Sequence, residues 1–401
     1  MMILTLISQC APVPAGTIVM FDGPPPAGWQ VLTDFHGRFP LGTTTYGGTL
    51  GGTTSHTHTI SGTTSSGTTI PNCGGVDWGI DPMDPHTHTY STTTSSANHI
   101  PPYRTFIFAK ALVDFTYLPQ NAVVLSYMAP TRPEWSDITS TMVDRFPMGD
   151  NTTPGLTGGT TSHTHTYSGT TSTDASSSSD IATDGPTYQT PYRQPHSHTF
   201  SGTTSSADHI PPYRTVRFWK AITEPARVES CAVIFMFDTL PPCSYFSVDP
   251  NFNGRIPRAN TTTGLNGGSS THTHTYSFTT STYYGPFVWT DGAVSSHLPH
   301  GHDHTGSGTT SSENHMPPYR TVIFATYCGP LSYEDPVVVE EKGIINWEGK
   351  YSFKVYNSTG REVLRGEAFG AVKLSSLPNG VYIILLERNK DKRILRFVKR
   401  R

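Results

Sequence analysis

The sequence predicts an all-β protein. Three tandem repeats of extended strands assemble, braced by metal, around a threefold axis as a trimer or single-chain pseudotrimer, and a small antiparallel β-sandwich follows them. Three observations lead there. The 401 residues are 35% hydrophobic and 14% charged, with 37 Gly and 33 Pro among abundant Thr and Ser, a mixture that favours short strands and irregular extended backbone over helices. The unit Ser55-His56-Thr57-His58-Thr59 recurs as Ser162-His163-Thr164-His165-Thr166 and Thr271-His272-Thr273-His274-Thr275. A short run of β-forming apolar residues precedes each recurrence, so the histidine spacing marks a structural repeat of about 108 residues.

Residues 1–14 form an N-terminal segment with a short apolar run, Ile3 to Ile7; it is a candidate signal-peptide remnant, against which the missing basic n-region counts. The repeats are 15–120, 121–224 and 225–328. They open with Thr17-Ile18-Val19-Met20-Phe21-Asp22, Val123-Val124-Leu125-Ser126-Tyr127 and Val233-Ile234-Phe235-Met236-Phe237-Asp238. A proline-rich turn and Gly37-Arg38-Phe39-Pro40, Asp144-Arg145-Phe146-Pro147 or Gly254-Arg255-Ile256-Pro257 follow, making a small β unit with these apolar residues as its core. A Gly/Thr/Ser-rich section then carries the first histidine pair, a variable insert and a second pair, His86/His88, His196/His198 and His302/His304. Each repeat closes alike, as in Asn98-His99-Ile100-Pro101-Pro102-Tyr103-Arg104-Thr105. The third copy reads His300-Gly301-His302-Asp303-His304. The shared spacing of 11 residues to the closing histidine selects His302 and His304, with His300 as a substitute ligand.

On an extended strand, histidines at i and i+2 point the same way about 7 Å apart, so one ion can take both. Three such strands around an axis offer six imidazoles, which suits iron(II), nickel or another six-coordinate divalent ion better than tetrahedral zinc. The expected sets are His56, His58, His163, His165, His272 and His274 for one ion, and His86, His88, His196, His198, His302 and His304 for another. His99, His209 and His315 are weaker candidates for a third trio. Large side chains in the same phase, Ile60, Tyr167, Tyr276, Tyr90 and Phe200, mark this strand face as the inward one. The metal's role is structural, because a thin fibre has little apolar surface to bury.

Residues 343–401 carry 13 Lys plus Arg against 5 Asp plus Glu, so with a net charge of −3 the rest of the chain holds −11. An acidic body without a basic stripe excludes nucleic-acid binding, and the charge split marks a domain boundary. The five cysteines include no CxxC pair; Cys231 and Cys243, flanking what reads as one hairpin, are a candidate disulfide. No stretch approaches the roughly 20 apolar residues of a membrane span. An enzyme is not expected: the His300 to His304 run is one residue short of the hydrolase pattern His-x-His-x-Asp-His, and a six-histidine site has no open position for water. After a linker at 329–346, residues 347–401 read as strands around Tyr351 to Val363, Leu374 to Ile383 and Arg393 to Lys399.

Over residues 15 to 328 the repeats resemble phage tail-collar and tail-fibre tip modules. Phe21-Asp22, Pro26-Ala27-Gly28-Trp29 and Gly37-Arg38-Phe39 are similar to a collar domain, and His-x-His followed by Asn-His-x-Pro-Pro-Tyr to a fibre needle. The resemblance implies an intertwined trimer with octahedral iron in each ring of three His-x-His units. The segment from 347 resembles the type A sorting domain of the type IX secretion system, on Val355-Tyr356-Asn357-Ser358-Thr359-Gly360-Arg361-Glu362-Val363, Leu374-Ser375-Ser376-Leu377-Pro378-Asn379-Gly380-Val381-Tyr382 and the basic end. That implies export across an outer membrane and an encounter with the secretion machinery.

The expectation is a secreted structural or adhesive surface protein, with iron(II) first among octahedral metals. Three needle modules in one chain favour a single-chain pseudotrimer over a homotrimer or filament. The aromatic-bearing inserts 67–85, 173–195 and 281–299 are candidates to face a glycan or receptor. The alternative is a phage receptor-binding fibre, and less favoured still a metal-dependent hydrolase.

Overall fold

The computed structural model describes residues 11–66, 86–174, 195–285, 300–329, 337–339, 344–357, 361–373, 377–378, 380–388 and 391–399. Among these the fold is all-β; its helical elements are three single 3-10 turns, Thr33–Phe35, Thr139–Thr141 and Pro250–Phe252, one per repeat. The predicted signal remnant lies largely outside the described residues, as do most of the three inserts.

The opening strands Ile18–Phe21, Ala122–Ser126 and Val233–Phe237 are buried throughout. Continuous apolar runs leave no polar face to turn to water, so both faces find a core. Val19, Phe21, Val124, Phe235 and Phe237 meet Trp135 and Trp219 on one side, while Ile18, Met20, Val123, Leu125, Ile234 and Met236 meet Phe108, Phe218 and Phe324 on the other. The three strands pair with one another in a ring: Met20 and Phe21 with Val123 and Ala122, Leu125 and Ser126 with Ile234 and Val233, and Ile18 with Met236.

The closing strands Tyr103–Ala111, Tyr213–Ala221 and Tyr319–Tyr327 lie antiparallel to the opening strand of their own repeat through their C-terminal halves. Their N-terminal halves pair in parallel with a different repeat: Tyr103 to Phe106 with Phe146–Gly149, Tyr213 to Val216 with Ile256–Ala259, and Tyr319 to Val322 with Phe39–Gly42. The pairing runs from repeat 1 to 2, 2 to 3 and 3 back to 1. No repeat contains its own complete sheet.

The Gly-Gly pairs explain how these crossings fit. A Cβ on Gly51, Gly158 or Gly267 would overlap the ring of Tyr319, Tyr103 or Tyr213. A Cβ on Gly52, Gly159 or Gly268 would lie 2.0 Å from the carbonyl oxygen of Pro317, Pro101 or Pro211, and all three have φ between +73° and +77°. Each Gly-Gly therefore seats the Pro-Pro-Tyr of a neighbouring repeat, a close approach that only glycine permits. The arginine after that tyrosine anchors the body: Arg104 pairs with Asp22, and Arg320 with Asp34 and Asp238.

Beyond the body, short two-stranded ladders carry the histidines: Thr59–Thr63 with Thr89–Thr93, Thr166–Thr170 with Thr199–Thr203, and Thr275–Thr279 with Thr305–Thr309. Between the histidine pairs they bury Ile60, Tyr90, Tyr167, Phe200, Tyr276 and Phe278 against one another. Tyr90 and Phe200 each stand across from a glycine, Gly62 and Gly169. In the third copy the order is reversed, and Phe278 fills the space over Gly306.

Cys231 is joined to Cys328, not to Cys243. The physical reason is strand direction. Cys231 precedes the strand Val233–Phe237 and Cys243 follows it, so the strand separates them, whereas the antiparallel partner Tyr319–Tyr327 delivers Cys328 beside Cys231, whose N–H donates to the Tyr327 carbonyl at 2.6 Å.

The C-terminal strands make one five-stranded sheet, ordered Val337–Val339, Asp391–Lys399, Gly380–Arg388, Ile344–Asn357, Glu362–Lys373. The described residues give a single sheet where a sandwich is expected. All its pairs are antiparallel except the first, in which Val337 to Val339 run parallel to Phe397 to Lys399. Part of the expected linker is thus strand.

Candidate metal centres

Pairing sets the first cluster. Ser55 and His56 pair with Asn98 and Ala97 of the same repeat, and the other copies repeat this. His56, His58, His163, His165, His272 and His274 then place one ligand atom each within 4.8 Å of all the others. Their Nε2 atoms converge. Within a pair, His56 to His58, His163 to His165 and His272 to His274, the separation is 3.0 Å. Between repeats, His56 to His272 and His272 to His163, it is 3.2 Å. A regular octahedron with such edges has its centre about 2.2 Å from each corner (edge divided by √2), close to a first-row metal–imidazole bond. A tetrahedral ion would leave two of the six converging nitrogens without a partner.

In the second cluster His86, His196, His198, His302 and His304 meet the same 4.8 Å limit. His88 is its sixth member by ring position, with centroids 4.8–5.1 Å from those of His86, His196, His198 and His304. The Nε2 atoms of His88, His198 and His304 are buried with no hydrogen-bond partner. Three orphaned nitrogens in one place ask for a shared electrophile, and a metal ion answers that need. Both donor sets fit a metal.

Residues that the sequence reading did not single out hold the rings in place. His58, His165 and His274 donate Nδ1–H to the carbonyls of Ser311, Ser95 and Ser205, each at 2.7 Å. His88, His198 and His304 donate to Ser172, Ser281 and Ser65 at 2.8–2.9 Å. Every one of these serines belongs to another repeat. A carbonyl only accepts, so the proton is fixed on Nδ1 and the Nε2 lone pair faces the cluster. The threonine before each serine accepts a histidine backbone N–H, as Thr94 does from His58 at 2.9 Å and Thr64 from His88 at 2.9 Å. The missed signal was available. A Thr-Ser dipeptide stands six residues after the second histidine of all six pairs.

His99, His209 and His315 are buried, yet they join neither cluster. Their Nδ1 atoms lie 2.8, 2.8 and 2.7 Å from Nδ1 of His56, His163 and His272. His300 sits on the strand His300–His302, and its side chain is outside the described residues.

Burial, reinforced by neighbouring imidazoles, lowers His56 and His272 to about 2 and His163 and His302 to about 3. Burial also lowers His88, His165, His198 and His274, with the serine carbonyls pulling the other way. Neutral imidazole is the ligating form. For the metal-free chain the sign follows from these directions. The unfolded histidines take up protons near pH 6.5 and the folded ones do not, so stability is full above that pH and falls as pH drops towards 2–3. Urea midpoints of the metal-free protein are expected to fall from pH 8 to pH 5; a midpoint unchanged over that interval would contradict buried neutral clusters.

Residues 338–400 match the model of the secretion system C-terminal sorting domain. Neither a curated protein nor a solved structure matches the chain. The matched segment coincides with the five-stranded sheet and the basic end. The C-terminal segment is a type IX secretion sorting domain, and the protein that carries it is exported across the outer membrane to the cell surface or the extracellular space.

Proposed function

We propose that this is a structural or adhesive surface protein, without catalytic activity, whose tail-fibre-like needle is stabilised by two octahedral ions, iron(II) first among the candidates. The observation that carries the reading is the convergence of six Nε2 atoms, from three buried and three half-buried histidines, at 3.0–3.2 Å along the edges measured. Six neutral imidazoles saturate an octahedral ion, and a saturated ion braces strands without offering a site to substrate. The cyclic pairing of the three repeats supports a single-chain pseudotrimer. The variable inserts, with Trp78, Tyr188, Tyr192 and Trp289, are the segments we assign to a glycan or receptor.

Elemental analysis and native mass on one purified sample test this. Two ions on a monomer of 43.7 kDa, or slightly less after removal of the sorting domain, are expected. Six ions on a trimer would replace the pseudotrimer by an intertwined homotrimer, and a folded, metal-free protein would overturn the metal reading.

A further inference from the structure

We infer, on the metal reading above, that Tyr283 is a positioning residue of the second metal centre alone: its ring pins the His196 imidazole and slows release of the ion held there. The phenol ring lies flat against His196, with centroids 4.4 Å apart and planes 16° from parallel. It meets His198 and His302 edge to face, at 6.1 Å each and with planes 70° and 73° apart. All three histidines are buried, while Tyr283 itself is half-buried. One side chain at the margin of the cluster thus engages three of its six candidate ligands. The backbone puts it there. Tyr283–Gly285 runs antiparallel to His300–His302, with Tyr283 opposite His302. Two residues earlier, the Ser281 carbonyl accepts the Nδ1–H of His198 at 2.8 Å. A single stretch of repeat 3 therefore holds both histidines of the repeat 2 pair, His198 through Ser281 and His196 through Tyr283.

The tyrosine breaks the threefold pattern. It stands nine residues after His274, and the same count from His58 and His165 reaches Gly67 and Asp174, neither of which has a ring. Asp174 occupies the matching place in repeat 2, where its N–H donates to the His196 carbonyl at 2.9 Å. The first centre is treated evenly by comparison. There His99, His209 and His315 stand against His56, His163 and His272 at centroid distances of 4.7–4.9 Å, one at each corner. Release from a centre of six imidazoles begins when one ring swings away by rotating about its side-chain bonds. A phenol stacked on the face of His196 fills the volume that this ring would sweep, and the stack itself must break before the ring can turn. The stack is present without an ion, so Tyr283 acts on the rate of release more than on affinity.

The test loads the full-length chain with iron(II) in the absence of oxygen and follows transfer of the metal to an excess of a chromogenic chelator. In Tyr283→Ala, half of the bound metal should leave roughly 2- to 10-fold faster, the rate equivalent of one aromatic pair, and the other half at the parent's rate. Tyr283→Phe, which keeps the ring, should restore the parent's rate. If the alanine variant fails to fold, Tyr283→Leu, which fills space without a flat face, carries the same expectation. Release of both ions at the parent's rate overturns the proposal. So does an equal acceleration of both, which marks a general loosening of the ladders, and so does a phenylalanine variant as fast as the alanine one. A parent chain that takes up no metal refutes the metal reading itself, a result distinct from all of these.

Discussion

Gly159→Ala is expected to destabilise the protein by roughly 3 kcal/mol or more, among the largest effects of a one-methyl change in the body. Two costs add. The residue has φ +77°, which alone penalises an L side chain by roughly 1–2 kcal/mol, and its new Cβ would stand 2.0 Å from the Pro101 carbonyl oxygen. That oxygen is backbone in another repeat and cannot rotate away. Gly155 separates the two costs, because it has φ +92° but no atom closer than 3.8 Å to the place its methyl would take. Urea unfolding of Gly155→Ala should therefore show the conformational penalty alone. If Gly159→Ala costs no more than Gly155→Ala, the account of the Gly-Gly and Pro-Pro-Tyr junction is wrong. Gly52 and Gly268 are expected to behave as Gly159 does.

Removing the metal is expected to have the second large effect. Two ions, each a thousandfold above its dissociation constant, contribute roughly 8 kcal/mol together. In a protein of this size that corresponds to roughly 10 °C or more of thermal midpoint. The loss should be concentrated in the histidine ladders, whose apolar contribution among the described residues is the layer from Ile60 to Phe278. The body keeps its own aromatic core. Calorimetry with and without chelator is expected to show one transition falling sharply, restored when a divalent ion is returned. An unchanged profile would mean that the imidazole clusters hold themselves together.

The histidine clusters were legible because ligand spacing is local: i and i+2 fix a shared face, and threefold recurrence fixes the number. The inward phase of Ile60, Tyr90, Tyr167, Phe200 and Tyr276 was legible for the same reason. What joins repeat to repeat was not. Gly159 and Pro101, or Ser311 and His58, are far apart in sequence and meet only after the strands exchange, so no periodicity announces them. Cys231 and Cys328 are separated by 97 residues, and their pairing follows from the antiparallel strands between them, whereas nearness in sequence favoured Cys243. Phe278 escaped notice because its meaning lies across the ladder, in the missing side chain of Gly306.

The cyclic strand exchange within one chain also changes how the molecule can vary over generations. In a homomeric assembly, a codon change appears at every corner of the axis at once, so any substitution tolerated at only one corner is lost. Here each corner has its own codon. Tyr127 stands where the other openings have Asp22 and Asp238, and it reaches Arg214 directly. Ala259 stands where Gly42 and Gly149 close against the Phe252 and Phe35 carbonyls. Three separate codons let drift and selection act on one third of the ring at a time, and the three inserts differ in sequence. A ring built this way carries three different contacts around its axis instead of one contact written three times.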